Sequence, residues 1–125
     1  MAVNNIQITV LIEDSKNSDK PKLQAKQGLS FFIAATIDDN KVTVMMDTGP
    51  SSNAIQNNVD TMKINVDDVD VISLSHGHYD HTGGLIEALK QMKKRVPVIW
   101  ASNAFRSETQ DNATSKANRR TFQAL

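Results

Sequence analysis

The sequence predicts an α/β domain, on three observations. Short β-prone runs recur along the chain, stretches between them carry apolar residues at helical spacing, and the residues with chemistry to offer fall just past the ends of the β-prone runs. A sheet flanked by helices presents side chains at such strand ends, on loops held by a rigid scaffold. The 125 residues suit one domain with one core.

Ile6, Ile8, Val10 and Ile12 alternate with Gln7, Thr9 and Glu13, the period of a strand with one buried face, blurred only slightly by Leu11. Residues 14–27 are rich in Lys, Ser, Asn and Asp and include Pro21, which predicts a polar surface loop. Residues 31–37 and 42–46 are continuous apolar, β-prone runs separated by Asp38-Asp39-Asn40-Lys41, a hairpin whose strands are expected to be buried on both faces. The second run ends in Asp47-Thr48-Gly49-Pro50, a carboxylate at a strand end before a Gly and a Pro; taken alone, this could be a plain turn. Ser51 or Ser52 can cap a following helix, whose apolar stripe is Ile55, Val59 and Met62.

Asp67-Asp68-Val69-Asp70 leads into a short buried strand, Val71-Ile72-Ser73-Leu74. Gly83-Gly84 turns the chain into a second helix with Leu85, Leu89 and Met92 at i, i+4 and i+7. Lys90, Lys93, Lys94 and Arg95 gather near its C-terminus, where cations complement the helix dipole. The same cluster could suit phosphate or RNA, but zero net charge favours the helix-end reading. Residues 96–100 form one more strand. Beyond Phe105 apolar residues are sparse until Phe122 and Leu125, so a domain over 1–106 and a polar tail over 107–125, with little to bury and disordered, are expected.

All three histidines lie in Ser75-His76-Gly77-His78-Tyr79-Asp80-His81-Thr82-Gly83-Gly84, with Asp80 among them. Imidazole suits zinc and its first-row neighbours, and a carboxylate adds a harder oxygen donor. His76 and His78 are two apart, so an extended backbone sends both side chains to one side. If the chain bends at Tyr79-Asp80, then Asp80 and His81 can face a second ion nearby. A solvated His-rich loop is the alternative, and the clustering of four donors argues against it.

Composition narrows the remaining classes. Zero net charge offers no field toward nucleic acid or an anionic membrane, and no apolar run has the length of a spanning helix. The N-terminus lacks a basic start and apolar core, so a cytoplasmic protein is expected. With no cysteine, any metal must be held by nitrogen and oxygen.

The motif His76-x-His78-x-Asp80-His81 resembles the metal signature of the metallo-β-lactamase superfamily. Asp47-Thr48-Gly49 resembles that superfamily's upstream Asp-Thr-Gly element. Residues 75–85, preceded by Gly28-Leu29-Ser30-Phe31, are further similar to the branch of archaeal-type dihydropteroate or methanopterin-precursor synthases. In that branch the position of Gln27 is often His, and Gln removes a ligand or substrate contact there. The resemblance covers residues 6–106 and implies an αββα sandwich: a mixed sheet flanked by helices, with metals at the edge between its sheets. It further implies His76 and His78 on a first metal, Asp80 and His81 on a second, and Asp47 behind them, orienting the loop. The ion would be a divalent metal, zinc by default, with iron or manganese as alternatives. The implied chemistry is hydrolysis, in which a metal-activated hydroxide attacks an ester, amide, lactone or phosphoester and Asp80 acts as the catalytic carboxylate steering its proton.

The family completes its metals with further His and Asp ligands downstream, yet no histidine follows His81. The chain is therefore expected to be the N-terminal half of the sandwich, with an apolar sheet face left uncovered. Such a half-core is expected to associate, either with a second copy or with a second chain that completes the domain. Two readings follow: part of a metallo-hydrolase acting on a small-molecule substrate, with a pterin-related phosphate synthase as the variant within the family; or a non-catalytic metal-binding half-domain that self-associates.

Overall fold

The computed structural model describes residues 2–101 and 119–123. Their strands form one mixed sheet in sequence order, β1 (Val3–Ile12), β2 (Ser30–Ile37), β3 (Asn40–Met46), β4 (Val71–Leu74), β5 (Pro97–Ala101) and β6 (Arg119–Gln123). β1 pairs antiparallel with β2 and β2 with β3; β3, β4 and β5 are parallel, and β6 returns antiparallel on β5. The parallel strands need crossovers. One carries α1 (Ser52–Thr61), and the other carries the short α2 (Tyr79–Thr82) and α3 (Leu85–Gln91).

The β2–β3 hairpin turns on two residues, Asp38 and Asp39, with φ of 47° and 69°. Left-handed backbone at both positions is the two-residue turn whose twist matches the strands, and Asp tolerates it better than most side chains. Ser51 caps α1, its Oγ accepting from the Ala54 amide at 3.2 Å. Ile55 and Val59 are buried as the stripe predicted, Met62 packs half-buried at the helix end, and Ala54 and Asn58 complete the inner face. Asn58 is a polar residue within the core. Its Nδ2 donates to the Leu11 and Gln24 carbonyls, and its Oδ1 accepts from the Gln24 amide, so it ties the loop after β1 to α1.

Both longer helices pack on the same side of the sheet and against each other. The core between them contains Met45, Val69, Ile72, Val96 and Val98 from the sheet side and Ile55, Val59, Leu85 and Ala88 from the helices. This one-sided cover corrects the expectation that both hairpin strands are buried on two faces. In β3 only Thr43 and Met45 point inward and are buried; Val42, Val44 and Met46 are half-buried, as is every residue of β2 after Ser30. The uncovered face is continuous. Strand register aligns Ile8 with Ile33, Ile33 with Val44, and Val44 with Val71 across four strands.

β1 also departs from its predicted buried face. Ile6, Ile8 and Val10 remain 54%, 60% and 44% exposed, because they lie on the open side and the helix layer does not reach the start of the strand. A register irregularity between Val10 and Ile12 then turns Leu11 and Ile12 into the core.

Three further differences are local. Asp67-Asp68 lies in a short 3-10 turn, Val66–Asp68, before β4. α3 ends at Gln91, so only Lys90 falls in its last turn, and Lys93, Lys94 and Arg95 belong to the connection into β5. Within the tail expected to be disordered, Arg119–Gln123 pairs with β5; Thr121 and Phe122 favour strands, and an added edge strand is held by backbone bonds that need no apolar spacing. The remaining expectations for residues 102–118 fall outside the described residues. No helix among the described residues is long and apolar enough to cross a membrane.

Candidate metal centre

The histidine loop leaves the C-terminal end of β4, and Asp47 leaves the neighbouring end of β3. Parallel pairing places these two ends side by side, which joins motifs 28 residues apart in the chain. Asp47 has a positive φ of 57° and is 1% exposed. Its backbone is tied on both sides: the amide donates to the Ser73 carbonyl at 2.9 Å, and the carbonyl accepts from Ser30 Oγ at 2.8 Å. The carboxylate is thus aimed at the loop before any loop residue binds it.

Three hydrogen bonds satisfy that buried carboxylate. Oδ1 accepts from the Ser75 amide at 2.8 Å, while Oδ2 accepts from Ser75 Oγ at 2.7 Å and contacts His81 Nδ1 at 2.8 Å. Thr48 grips the loop from the other side, its amide and hydroxyl both donating to the His81 carbonyl, at 2.8 and 3.1 Å. After His78 the chain enters the single turn α2, where the His78 carbonyl accepts from the His81 and Thr82 amides. This is the bend predicted near Tyr79-Asp80. It lifts Asp80 and His81 toward His76.

Two glycines let the surrounding segments close on the loop. Gly28, with φ of 141°, sits where a Cβ would lie 2.1 Å from the Asp80 carbonyl oxygen. Gly84 would place a Cβ 2.3 Å from the Thr48 carbonyl oxygen. Neither site has room for a side chain, so both backbones pack directly on the histidine loop and on Thr48. Gln27, just before Gly28, is exposed.

His76, Asp80 and His81 each offer a ligand atom, and these atoms lie within 4.8 Å of one another. His81 Nε2 and Asp80 Oδ2 are 3.6 Å apart, and the His76 and His81 ring centres are separated by 4.1 Å. The ring of His78 stands edge-on to that of His76 at 4.7 Å, at the exposed rim of this group. So the four residues expected as ligands are neighbours, with His76 drawn toward Asp80 and His81 as well as toward His78. The donor set fits a first-row divalent metal: imidazole nitrogens and a carboxylate, partly sheltered, with the Nδ1 atoms of His76 and His81 engaged by oxygen partners and their Nε2 atoms left for an ion. Asp47 touches His81 from behind this group.

Sequence reasoning missed Ser75 and Ser30. Ser75 was visible only as the residue that opens the histidine stretch. Nothing local ties its hydroxyl to a carboxylate so far away in the chain.

The family profile described as the metallo-β-lactamase superfamily matches residues 23–110. The chain is 36% identical over 104 residues to the 7,8-dihydropterin-6-methyl-4-(β-D-ribofuranosyl)-aminobenzene-5′-phosphate synthase of Methanocaldococcus jannaschii, covering 83% of this chain and 35% of that protein. The chain therefore spans about a third of the length of this curated relative. Among solved structures, a metallo-β-lactamase from Cronobacter sakazakii aligns with a TM-score of 0.45 at 22% identity, over 59% of this chain and 28% of that one. A subclass B3 metallo-β-lactamase of Bradyrhizobium japonicum aligns with a TM-score of 0.39 at 22% identity, over 71% and 31%. With the profile matched over more than half its length and the Asp47 and histidine motifs adjoining in space, this chain belongs to the metallo-β-lactamase superfamily.

Proposed function

We propose that this chain carries the N-terminal metal loop of a metal-dependent hydrolase acting on an ester, amide, lactone or phosphoester. The observation that carries the reading is the convergence of His76, Asp80 and His81, with His78 beside them, on a carboxylate-braced loop at the C-terminal ends of β3 and β4. In this reading His76, His78, Asp80 and His81 hold zinc, or iron or manganese where supply favours them. When bound, such ions supply Lewis acidity and a nucleophilic hydroxide at neutral pH. Asp47 and Thr48 hold His81 from opposite sides, fixing its ring and its backbone. The Asp80 carboxylate, beside His81, takes up or orients the proton of the attacking water at Oδ2. A cytoplasmic setting is part of this reading, and the zero net charge offers no field toward nucleic acid or an anionic membrane.

A second reading within the family is favoured by the Methanocaldococcus jannaschii relative, a synthase of a phosphorylated dihydropterin compound. There the same loop would serve a pterin-related phosphate substrate. The uncovered sheet face also supports a partner, either a second copy or a chain bearing the rest of the sandwich. The test is metal content after purification together with turnover of phosphodiester, thioester, lactone, β-lactam and dihydropterin phosphate substrates, by the chain alone and by the chain with a second, histidine-containing chain added. Turnover abolished by His78→Ala/His81→Ala supports the enzyme reading. Metal binding without turnover in either form, with concentration-dependent association, would instead identify a non-catalytic half-domain.

A further inference from the structure

We propose that Ser75 is a positioning residue that fixes His76 in the tautomer carrying its proton on Nδ1, leaving Nε2 as the metal ligand. The inference rests on reading this loop as a metal site, and its geometry is independent of any ion. Ser75 Oγ lies 2.7 Å from Asp47 Oδ2 and 2.8 Å from His76 Nδ1. A hydroxyl has one hydrogen to give and lone pairs to receive, whereas a carboxylate can only accept. Two acceptor oxygens 2.7 Å apart with no hydrogen between them would repel, so the Ser75 hydrogen points at Asp47. The remaining contact then requires a hydrogen on His76 Nδ1, donated to Ser75 Oγ.

The same count applies to His81. Its Nδ1 contacts Asp47 Oδ2 at 2.8 Å, so this nitrogen carries a hydrogen as well, and His81 Nε2 turns toward Asp80. One buried carboxylate therefore sets the tautomers of two histidines, His81 by contact and His76 through the Ser75 hydroxyl. Ser75 is well placed for this work. Its own amide donates to Asp47 Oδ1 at 2.8 Å, so the backbone that carries the hydroxyl is held by the same carboxylate. Alanine at this position keeps that backbone bond and loses only the relay.

The experiment compares the wild-type chain with Ser75→Ala and Ser75→Thr. Long-range proton–nitrogen correlation spectra of the metal-free proteins report which ring nitrogen of His76 is protonated, and calorimetric titration with zinc reports affinity. In the wild type and in Ser75→Thr, His76 should show a protonated Nδ1 and a bare Nε2. Ser75→Ala should show a mixture of tautomers and bind zinc about 10–100-fold more weakly, the usual loss when a ligand's outer partner is removed, with its thermal unfolding little changed. A wild-type His76 protonated on Nε2 overturns the proposal, even if the alanine variant fails to fold. So does a Ser75→Ala protein that binds zinc with unchanged tautomer and affinity. A wild-type chain that binds no zinc at all overturns the functional reading instead.

Discussion

Replacing Asp47 by Asn keeps the shape of the side chain and removes one of its two acceptor oxygens. The native carboxylate is 1% exposed and faces three donors: the Ser75 amide on Oδ1, and Ser75 Oγ and His81 Nδ1 on Oδ2. If the new amide oxygen takes the Oδ2 position, its NH2 group meets the Ser75 amide hydrogen and that bond is lost. In the other orientation the NH2 group faces His81 Nδ1. The imidazole must then move its hydrogen to Nε2, the atom needed for the metal. Either way at least one bond to a charged acceptor disappears, about 1.5–3 kcal/mol. At about 1.4 kcal/mol per tenfold this corresponds to a loss in zinc affinity of roughly 10–100-fold, in line with the outer-partner losses of other metal sites. Calorimetric titration of zinc into Asp47→Asn should show that loss. X-ray absorption should show the coordination number unchanged, because Asp47 supports the loop and does not ligate. Equal affinities would refute the reasoning and leave Asp47 without bearing on the metal; one oxygen ligand fewer in the mutant would make it a ligand.

Zinc binding itself should be abolished or greatly weakened in His76→Ala/His78→Ala, and should weaken on acidification in the wild type, since a protonated imidazole cannot ligate; titrations at several pH values check both. Asn58→Ala removes the side-chain bonds to the Leu11 and Gln24 backbone and should cost about 1–3 kcal/mol in denaturant unfolding, with faster amide exchange in residues 14–27 if Asn58 anchors that loop. The 125-residue chain alone, even loaded with zinc or manganese, should show little turnover: with His76 and His78 on one ion and Asp80 and His81 on a second, as proposed, each ion would have two protein ligands where a catalytic zinc usually has about three. Turnover by the monomer well above a His78→Ala/His81→Ala blank would contradict that ligand count.

Much of this protein is written in local sequence. The helix begins at Ser51 because a hydroxyl there can cap it, and Ile55 and Val59 face the core because their spacing matches the helical period. The candidate metal loop was legible because three histidines and Asp80 occur within six residues, and the Asp47 motif because a carboxylate precedes Thr48-Gly49 at a strand end. Tertiary structure decided what depends on elements distant in the chain. Parallel pairing of β3 with β4 sets Asp47 beside Ser75 and His81, so the hydrogen-bond relay has no local signature. Apolar runs predicted β2 and β3 to be buried on both faces, and only the placement of α1 and α3 on one side determined that a single face is covered. The edge strand β6 was unreadable for a related reason: its partner is β5, and backbone pairing leaves little trace in side-chain periodicity. A short-range pattern records what a residue can do locally. Which groups it meets is fixed by register and packing across the whole sheet.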